Sequence, residues 1–517
     1  MTNKINKKLK KLLSTLHKSG LLDWAEKLKT EFPKAEIYLV GGAVRDAILN
    51  RAENKDFDFV ARKVPMKKLQ TFLNKLGWVE ELGKNFGVLK FKPEKLIKDE
   101  NSSPLDIALP RKEISTSQGD YKDFKVEFDK NIDIKHDLLR RDFTINAIAL
   151  DIFKNQIIDP FSGIKDIKNK IIKCVGKPEE RLKEDYTRIL RAVRFACQLN
   201  FEIGNKTKIA LKKLALRLND KNKSNEWISP REVIAKEFLK ALSNDYLKAI
   251  ELYDKLGLFK ILMPEILKMK KCPQPKNYHT EGDVWKHTIL ALKKINSPEF
   301  KKFEKKLDKI FTSYDKERLE LILAVLFHDI GKPYTIQTPK KNGTDRIRFN
   351  NHDNIGGKLT EKICRRLALS TPPGLGINYD TVAWPVSKHM IMVHGHPNQL
   401  RSQTIEKYFF SGRYPGKNLI KLAYLDSLAT ITTNGPVNTD LISALLKRIK
   451  EMKKLVKKKH THQSLPAPLL SGNEIMQILK LKPGKKIGQI KNKIREKQLD
   501  GQIKNKKQAK GYVSMLK

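Results

Sequence analysis

Asp56 and Asp58 stand two apart in Lys55-Asp56-Phe57-Asp58-Phe59-Val60, fourteen residues after the glycine pair Gly41-Gly42. On an extended strand, a period of two puts both carboxylates on one face and Phe57 and Phe59 on the other. The aromatic face can pack while the acids hold hard cations such as Mg²⁺, which prefer oxygen ligands. A pair of ions held this way can activate an attacking oxygen and stabilise a leaving one at phosphorus. The apolar run Ile37-Tyr38-Leu39-Val40 reads as a strand before the glycines, and residues 43–50 read as a short helix after them. Glycines let the backbone approach a phosphate closely, and the helix N-terminus favours its negative charge. A lone Asp-x-Asp is usually a solvated strand end, so the weight lies in the combination.

Three further segments bear on the same chemistry. Asp106, in Leu105-Asp106-Ile107-Ala108-Leu109, alternates with apolar neighbours. It is either a third carboxylate of the site or a solvent-facing strand acid. In Arg140-Arg141-Asp142-Phe143-Thr144-Ile145-Asn146-Ala147, the arginine fork matches phosphate oxygens, and Asp142 and Asn146 can bond ribose hydroxyls. Four residues apart, those two share a face if the segment is helical, although a charged helix start is the plainer alternative. Residues 184–195 read as one helix, with Tyr186, Ile189, Leu190 and Val193 toward a core and Glu184, Arg188 and Arg191 opposite. Asp185 lies at the edge. A carboxylate one turn from a guanidinium can read the hydrogen-bonding edge of a base, or form only an ordinary salt bridge.

Positioning these groups takes more than one domain, and 517 residues are too many for a single ordinary core. Strand candidates at 37–40, 57–60, 88–91 and 105–109 alternate with helices, an α/β or α+β pattern. From 164 to about 267 the pattern is almost wholly helical, including residues 188–199 and 231–242. Helical periods continue from 283 to 458. Residues 1–32 read as basic helix anchored by Leu12, Leu16 and Leu21-Leu22. Lys457-Lys458-Lys459-His460 leads into Ser464-Leu465-Pro466-Ala467-Pro468, a linker candidate before a small helical unit broken at Pro483-Gly484.

Lys and Arg total 104 against 58 Asp and Glu, a formal net charge of +46. Such a field favours a polyanionic partner and makes binding salt dependent. A basic membrane surface is the competing reading, weakened because no long apolar run or amino-terminal signal pattern is present. Cys174, Cys197, Cys272 and Cys364 are far apart and form no zinc-like pair, which fits reduced thiols in the cytoplasm.

Together, Leu39-Val40-Gly41-Gly42-Ala43-Val44-Arg45-Asp46, Asp56-Phe57-Asp58, residues 140–147, Asp159-Pro160-Phe161-Ser162-Gly163 and residues 184–195 resemble the class II tRNA nucleotidyltransferase and bacterial poly(A) polymerase family. They follow the family's order across about residues 36–265. The resemblance implies an α+β fold: a polymerase-beta-like nucleotidyltransferase head with a mixed sheet, then helical neck and body. It implies Mg²⁺ on Asp56 and Asp58, the triphosphate at Gly41, Gly42 and Arg45, and nucleotide contacts from Arg141, Arg191 and Arg194. Asp142, with Asn146 beside it, would report the ribose, and Asp185 with Arg188 would template the incoming base. The implied reaction adds C, C and A to the tRNA 3′ end from CTP and ATP. Poly(A) polymerases share most of these motifs, and enzymes restricted to CC or to A also fit. Residues 109–124, with Gly119-Asp120-Tyr121-Lys122-Asp123, look more like the tRNA enzymes and occupy the place of a loop that helps the switch from C to A.

A second constellation comprises His287, His328-Asp329 in Leu326-Phe327-His328-Asp329-Ile330-Gly331-Lys332-Pro333, and Asp426. Imidazole nitrogens and carboxylates can jointly hold a divalent transition metal and an activated water. The residues read as lying on helices, with Gly331 and Pro333 ending the one that bears His328. This order is similar to HD phosphohydrolase domains fused to bacterial tRNA nucleotidyltransferases, with His352 and His389 as lower-ranked extra ligands. Residues 468–503 are similar to the C-terminal segment of those proteins, whose lysines suit an RNA backbone. The expected divisions are 1–33, 34–160, 161–270, 278–458 and 465–517. The rival from another class is a metal phosphohydrolase whose front half merely binds RNA or nucleotide.

Overall fold

The computed structural model describes residues 2–51, 56–81, 87–97, 99, 102–115, 124–311, 317–392, 400–436, 439–454 and 465–516. Residues 119–123 and 457–464, read above as loop and linker, lie outside the described residues. The chain divides into two units, Met1–Leu262 and Met263–Lys517.

The first unit opens with α1 (Thr2–Lys18) and α2 (Asp23–Glu31). Of the anchors expected, Leu16 and Leu22 are buried and Leu12 and Leu21 only half-buried; Leu9 and Leu13 complete the buried stripe. Trp24 meets Phe59 and Phe91 edge-on at 5.4 and 6.2 Å, which seats α2 against the sheet. The strands and helices that follow are β1 (Glu36–Val40), α3 (Gly42–Ile48), β2 (Asp58–Arg62), α4 (Met66–Asn74), β3 (Gly77–Glu81), β4 (Val88–Pro93) and β5 (Leu105–Ala108). After them come the antiparallel pair β6 (Arg111–Ser115) and β7 (Phe124–Phe128), α5 (Ile134–Leu139), β8 (Ala149–Asp151) and β9 (Gln156–Ile158).

Seven strands form one mixed sheet in the order β3-β4-β5-β2-β1-β8-β9. β2 runs antiparallel to β1 but parallel to β5, with Val40 opposite Asp58 and Asp58 opposite Asp106. One row of the sheet therefore carries Asp106, Asp58 and the residue just before Gly41. Alternation does the sorting, as Phe59, Ile107 and Leu39 beside that row are fully or almost fully buried.

The rest of the unit is α6 (Gly163–Lys168), β10 (Ile171–Ile172), α7 (Pro178–Glu184), α8 (Arg188–Leu199), β11 (Glu202–Ile203), α9 (Asn205–Leu214), α10 (Arg231–Lys255) and α11 (Leu258–Leu262). The almost wholly helical reading needs one correction, the short parallel pair of β10 with β11. A second correction concerns 184–195, which is two helices and not one. Asp185 is extended at φ −153°, and its Oδ1 accepts from Thr187 N (2.8 Å) and Oγ1 (2.6 Å). An aspartate that bonds its own backbone two residues on competes with helical pairing.

In the second unit, α12 (Pro264–Met269), α13 (Val284–Lys294), α14 (Pro298–Asp308), α15 (Glu317–Phe327), α16 (Lys332–Thr335), α17 (Pro339–Asn342), α18 (His352–Arg366) and α19 (Tyr379–Lys388) come first. Next are α20 (Ser402–Phe409), α21 (Gly416–Ala429), a β12–β13 hairpin (Ile431–Thr432, Gly435–Pro436) and α22 (Asp440–Lys454). α15 is the centre, with Leu321 through Phe327 buried. Around it pack α13, α19 and α21. The tail, α23 (Gly472–Leu479), α24 (Lys485–Leu499) and α25 (Lys506–Ser514), has its own core of Leu470, Ile475, Ile487, Ile490, Ile494, Ile503, Ala509 and Val513. Ser471 and Glu474 form a capping box that starts α23.

Candidate active site and metal centre

The head site is built on the turn from β1 into α3. Gly41 holds φ +73°, a conformation a side chain resists, and the space is also taken. A Cβ there would sit 3.0 Å from Arg141 Nη1 and 3.3 Å from Asp58 Oδ2. The glycine, an arginine and a metal-type carboxylate therefore meet at one point. Loss of hydration pushes the Asp58 carboxyl up to about 6; Arg141 pulls it down, and Asp106 and Asp56 push it up again. Burial also raises Asp106, against Lys90 and with Asp56. Asp56 and Asp58 both keep surface open to solvent, and Asp56 lies just before β2, so one of the two acids is outside the strand expected to carry both. Asp58 and Asp106, each pushed up by burial and a neighbouring carboxylate, are short of positive charge, and that donor set fits a hard divalent cation.

Gly41→Ala should cost roughly 1–2 kcal/mol of stability from the left-handed backbone. Displacing Arg141 and Asp58 should also lower turnover by about 10²-fold, since misplacement near 1 Å can cost that much. Melting temperature and steady-state rate check the two parts separately.

Behind this point runs a buried polar chain. Arg45 Nη1 donates to Asn146 Oδ1 (2.7 Å), and Asn146 Nδ2 donates to Asp142 Oδ1 (3.2 Å). Asp142 Oδ2 accepts from Arg191 Nε (2.9 Å) and Nη2 (2.6 Å). Burial pushes Asp142 up, but the Arg191 charge and these bonds hold it well below the usual carboxylate range. Asp142 and Asn146 do meet, yet not on an α-helix: α5 ends before Arg140, and Thr144–Asn146 is a single 3₁₀ turn. Arg194 Nε donates to Glu237 Oε2 (2.5 Å), and Glu237 Oε1 lies 4.0 Å from Arg191 Nη1. Arg191 and Arg194, read as nucleotide contacts, are thus oriented by Asp142 and Glu237. Arg188 Nη1 donates to Glu184 Oε2 (2.7 Å) and to the Arg181 carbonyl (2.8 Å), with Asp185 Oδ2 4.0 Å from its Nε. Buried Asp137 ties Arg140 (2.9 Å) and faces Arg141 (3.5 Å). Sequence reasoning missed Glu237 and Asp137; the only available signal was a single acid inside an otherwise apolar helical face.

Asp142→Asn leaves Arg191 without its carboxylate and should destabilise the protein by about 2–3 kcal/mol at neutral pH. A depressed carboxyl contributes stability above its ordinary pKa of 3.8 and loses it as the pH falls toward the folded value. The gap between wild type and variant should therefore narrow in melts taken below pH 3.8.

In the second unit, all four expected ligands converge. His287 Nε2 is 2.9 Å from Asp426 Oδ1 and 4.0 Å from Asp329 Oδ2; His328 Nε2 is 3.3 Å from Asp329 Oδ2 and 3.7 Å from Asp426 Oδ1. One placement is corrected: α15 ends at Phe327, and His328 and Asp329 occupy the turn after it. Gly331 lets that turn abut α18, since a Cβ would lie 2.0 Å from the His352 carbonyl oxygen. His352 and His389 are drawn in as well, their Nε2 atoms 3.6 and 3.9 Å from Asp329 Oδ1 and 3.3 Å from each other.

The outer nitrogens orient these side chains as a metal site would require. Nδ1 of His328, His352 and His389 lies 2.8, 2.7 and 2.7 Å from the carbonyls of Val325, Phe349 and Val386, and each can donate there. Nδ1 of His287 faces Glu281 Oε1 at 2.7 Å. With the proton on Nδ1, the Nε2 lone pairs point inward. His328 Nε2 is buried and has no hydrogen-bond partner among the described residues. With both outer nitrogens donating to carbonyls, the two Nε2 atoms 3.3 Å apart can share a proton or a metal ion, and the donor set fits a transition metal. Burial lowers His352 to about 4, and burial also lowers His389, which keeps both neutral as ligands. Burial opposes charging His287, but Asp426 and Glu281 outweigh it and raise the ring to about 9. Glu281, which also accepts from His279 (2.7 Å), and Lys332, 2.7 Å from Asp329 Oδ2, were not singled out from sequence.

Fold and site together define a nucleotidyltransferase head joined to a helical, histidine-rich domain. The poly(A) polymerase head domain model matches residues 37–173, and the HD domain model matches residues 301–429. The multifunctional CCA proteins of Aliivibrio salmonicida and Neisseria meningitidis are 30% and 31% identical over 72% of this chain, which covers 79% and 76% of them. An A-adding tRNA nucleotidyltransferase of Deinococcus radiodurans is 28% identical over 74% of this chain and 79% of its own length. The Bacillus stearothermophilus CCA-adding enzyme, solved with CTP, has a TM-score of 0.58 at 17% identity, covering 96% of both chains. The Thermotoga maritima enzyme, solved with tRNA, has a TM-score of 0.54 at 20% identity, covering 95% of this chain and 93% of that one. The chain belongs to the tRNA nucleotidyltransferase and poly(A) polymerase family, and is a nucleotidyltransferase with an appended HD domain. Among the described residues, no helix is long and apolar enough to cross a membrane.

Proposed function

We propose that this protein adds C, C and A to the 3′ end of tRNA in the cytoplasm, using CTP and ATP and releasing pyrophosphate. The observation that carries this is the register of Asp58 against Asp106, with Asp58 and Arg141 both at Gly41. Asp56, Asp58 and Asp106 would hold Mg²⁺, which supplies positive charge and a lowered oxygen pKa at a reacting phosphate. Gly41 and Gly42 let the triphosphate approach the backbone at the start of α3, and Arg141 meets its charge. The terminal ribose hydroxyl of the RNA attacks the α-phosphorus, its proton passes to the acidic cluster or to water, and the bond to the β-phosphate oxygen breaks. Asp142 and Asn146 face the ribose, Arg191 and Arg194 contact the nucleotide, and the Asp185–Arg188 pair reads the base edge. The divisions 1–33, 34–160, 161–270, 278–458 and 465–517 assign these tasks to extension, head, neck and body, HD domain and RNA-contacting tail.

The HD centre would hydrolyse phosphoesters at RNA 2′,3′ ends; the six converging side chains, Asp329 among them, support that reading. Addition of A alone is the narrower reading, and one relative is named for it. Supplying truncated tRNA with CTP alone, ATP alone and both together separates the cases. Two additions with CTP and a third only with ATP present support CCA addition. Long adenosine tails support a poly(A) polymerase, and no extension supports the phosphohydrolase with an RNA-binding front half.

A further inference from the structure

Residues 407–417 read Lys-Tyr-Phe-Phe-Ser-Gly-Arg-Tyr-Pro-Gly-Lys, aromatic rings interleaved with cations, and neither proposed active centre uses them. The structure folds this segment around the end of α20 and back against α19. Trp384 and Tyr414 lie with centroids 4.9 Å apart and planes 30° from parallel; Tyr408 meets them edge-on at 5.0 and 5.5 Å. All three rings are half-buried, so each keeps a part open to solvent. Exposed Lys407 and Arg413 border the cluster, their charges 5.7 and 5.8 Å from the Tyr414 centroid. A purely structural staple needs rings but not two flanking cations left in water.

We propose that Trp384, Tyr408 and Tyr414, framed by Lys407 and Arg413, form a stacking platform for the bases of a single-stranded RNA end. The inference rests on the reading that this chain works on RNA. Bases offer a π-face whatever their identity, and aromatic rings beside backbone-seeking cations are how single strands are held without a sequence code. Trp384 stands on α19, whose C-cap His389 follows five residues on, about 7 Å of helical rise. Tyr414 lies two residues before α21, the helix that carries Asp426. The platform would therefore hold a single strand on elements that also carry the histidine centre, which would give the HD domain a preference for unpaired ends over duplex.

The test is binding of a fluorescein-labelled, single-stranded RNA hexamer to the full-length protein, followed by anisotropy. Trp384→Ala and Tyr414→Ala should each weaken binding roughly ten-fold or more, with Trp384→Phe keeping most of it. Arg413→Gln should lower the salt dependence of the affinity. Unchanged affinity in the folded variants overturns the platform, even if their melting temperatures fall. Should an alanine variant fail to fold, ultraviolet crosslinking of wild type decides. RNA on the peptide bearing Trp384, or on that bearing Tyr408 and Tyr414, supports the platform, and RNA only elsewhere overturns it. Extension of truncated tRNA is assayed alongside. Extension without a crosslink at these rings refutes the platform alone; a crosslink without extension supports the platform and refutes the nucleotide-addition reading.

Discussion

Asp58→Asn is expected to abolish nucleotide addition, with a loss of at least about 10³-fold, while the protein folds as well as wild type. The rate follows from charge: removing one oxygen ligand from an Mg²⁺ site deprives the reacting phosphate of several kcal/mol of stabilisation. The stability follows from the opposite sign of the same charge. Burial and the neighbouring acids raise the Asp58 carboxyl from 3.8 to about 6. A raised carboxyl binds its proton more tightly in the folded state, so the group lowers stability as the pH climbs through 3.8 to 6. Asparagine removes that penalty. In melts without divalent ions above pH 6, the variant should match or exceed wild type. Added Mg²⁺ should raise the melting temperature of wild type and leave the variant where it was. An active Asp58→Asn would remove these acids from the reaction.

His328→Ala is the second large expectation, and it should separate the two halves of the protein. His328 supplies an inward Nε2 with no hydrogen-bond partner among the described residues, so its loss opens the proposed metal shell. Bound transition metal should fall toward background, and hydrolysis of a 2′,3′-cyclic nucleotide should drop by more than about 10²-fold, beyond what losing an outer partner costs. Nucleotide addition should persist, because none of the acids or arginines at Gly41 comes from this unit. Metal content by elemental analysis, read beside both assays, distinguishes a lost ligand from a misfolded domain. If addition were to disappear with the hydrolysis, the division of labour proposed above would fail.

What the sequence disclosed depended on how local each constraint is. α8 spans 188–199, as its apolar period indicates, because an amphipathic helix is written in neighbouring residues. The break at Asp185 is also local, but it is set by a side chain capturing its own backbone, which periodicity cannot register. The pairing of Asp58 with Asp106 joins strands separated by a helix and two further strands, so alternation could offer Asp106 as a candidate but not seat it. His287, His328, Asp329 and Asp426 were legible through their order and similarity to a known family. His352 and His389 rank lower from sequence because either could serve phosphate or RNA instead of a metal. Only the approach of α18 at Gly331 brings His352 to Asp329. Glu237, whose work is to orient arginines, left only a lone acid on an apolar helical face, and Glu281 left no pattern to find.

A tRNA ending at its discriminator base, incubated with the purified protein, CTP, ATP and Mg²⁺, poses the question most directly. The carboxylate–glycine–arginine geometry of the head predicts a product three nucleotides longer that ends in C, C and A. A tRNA recovered at its original length would contradict it.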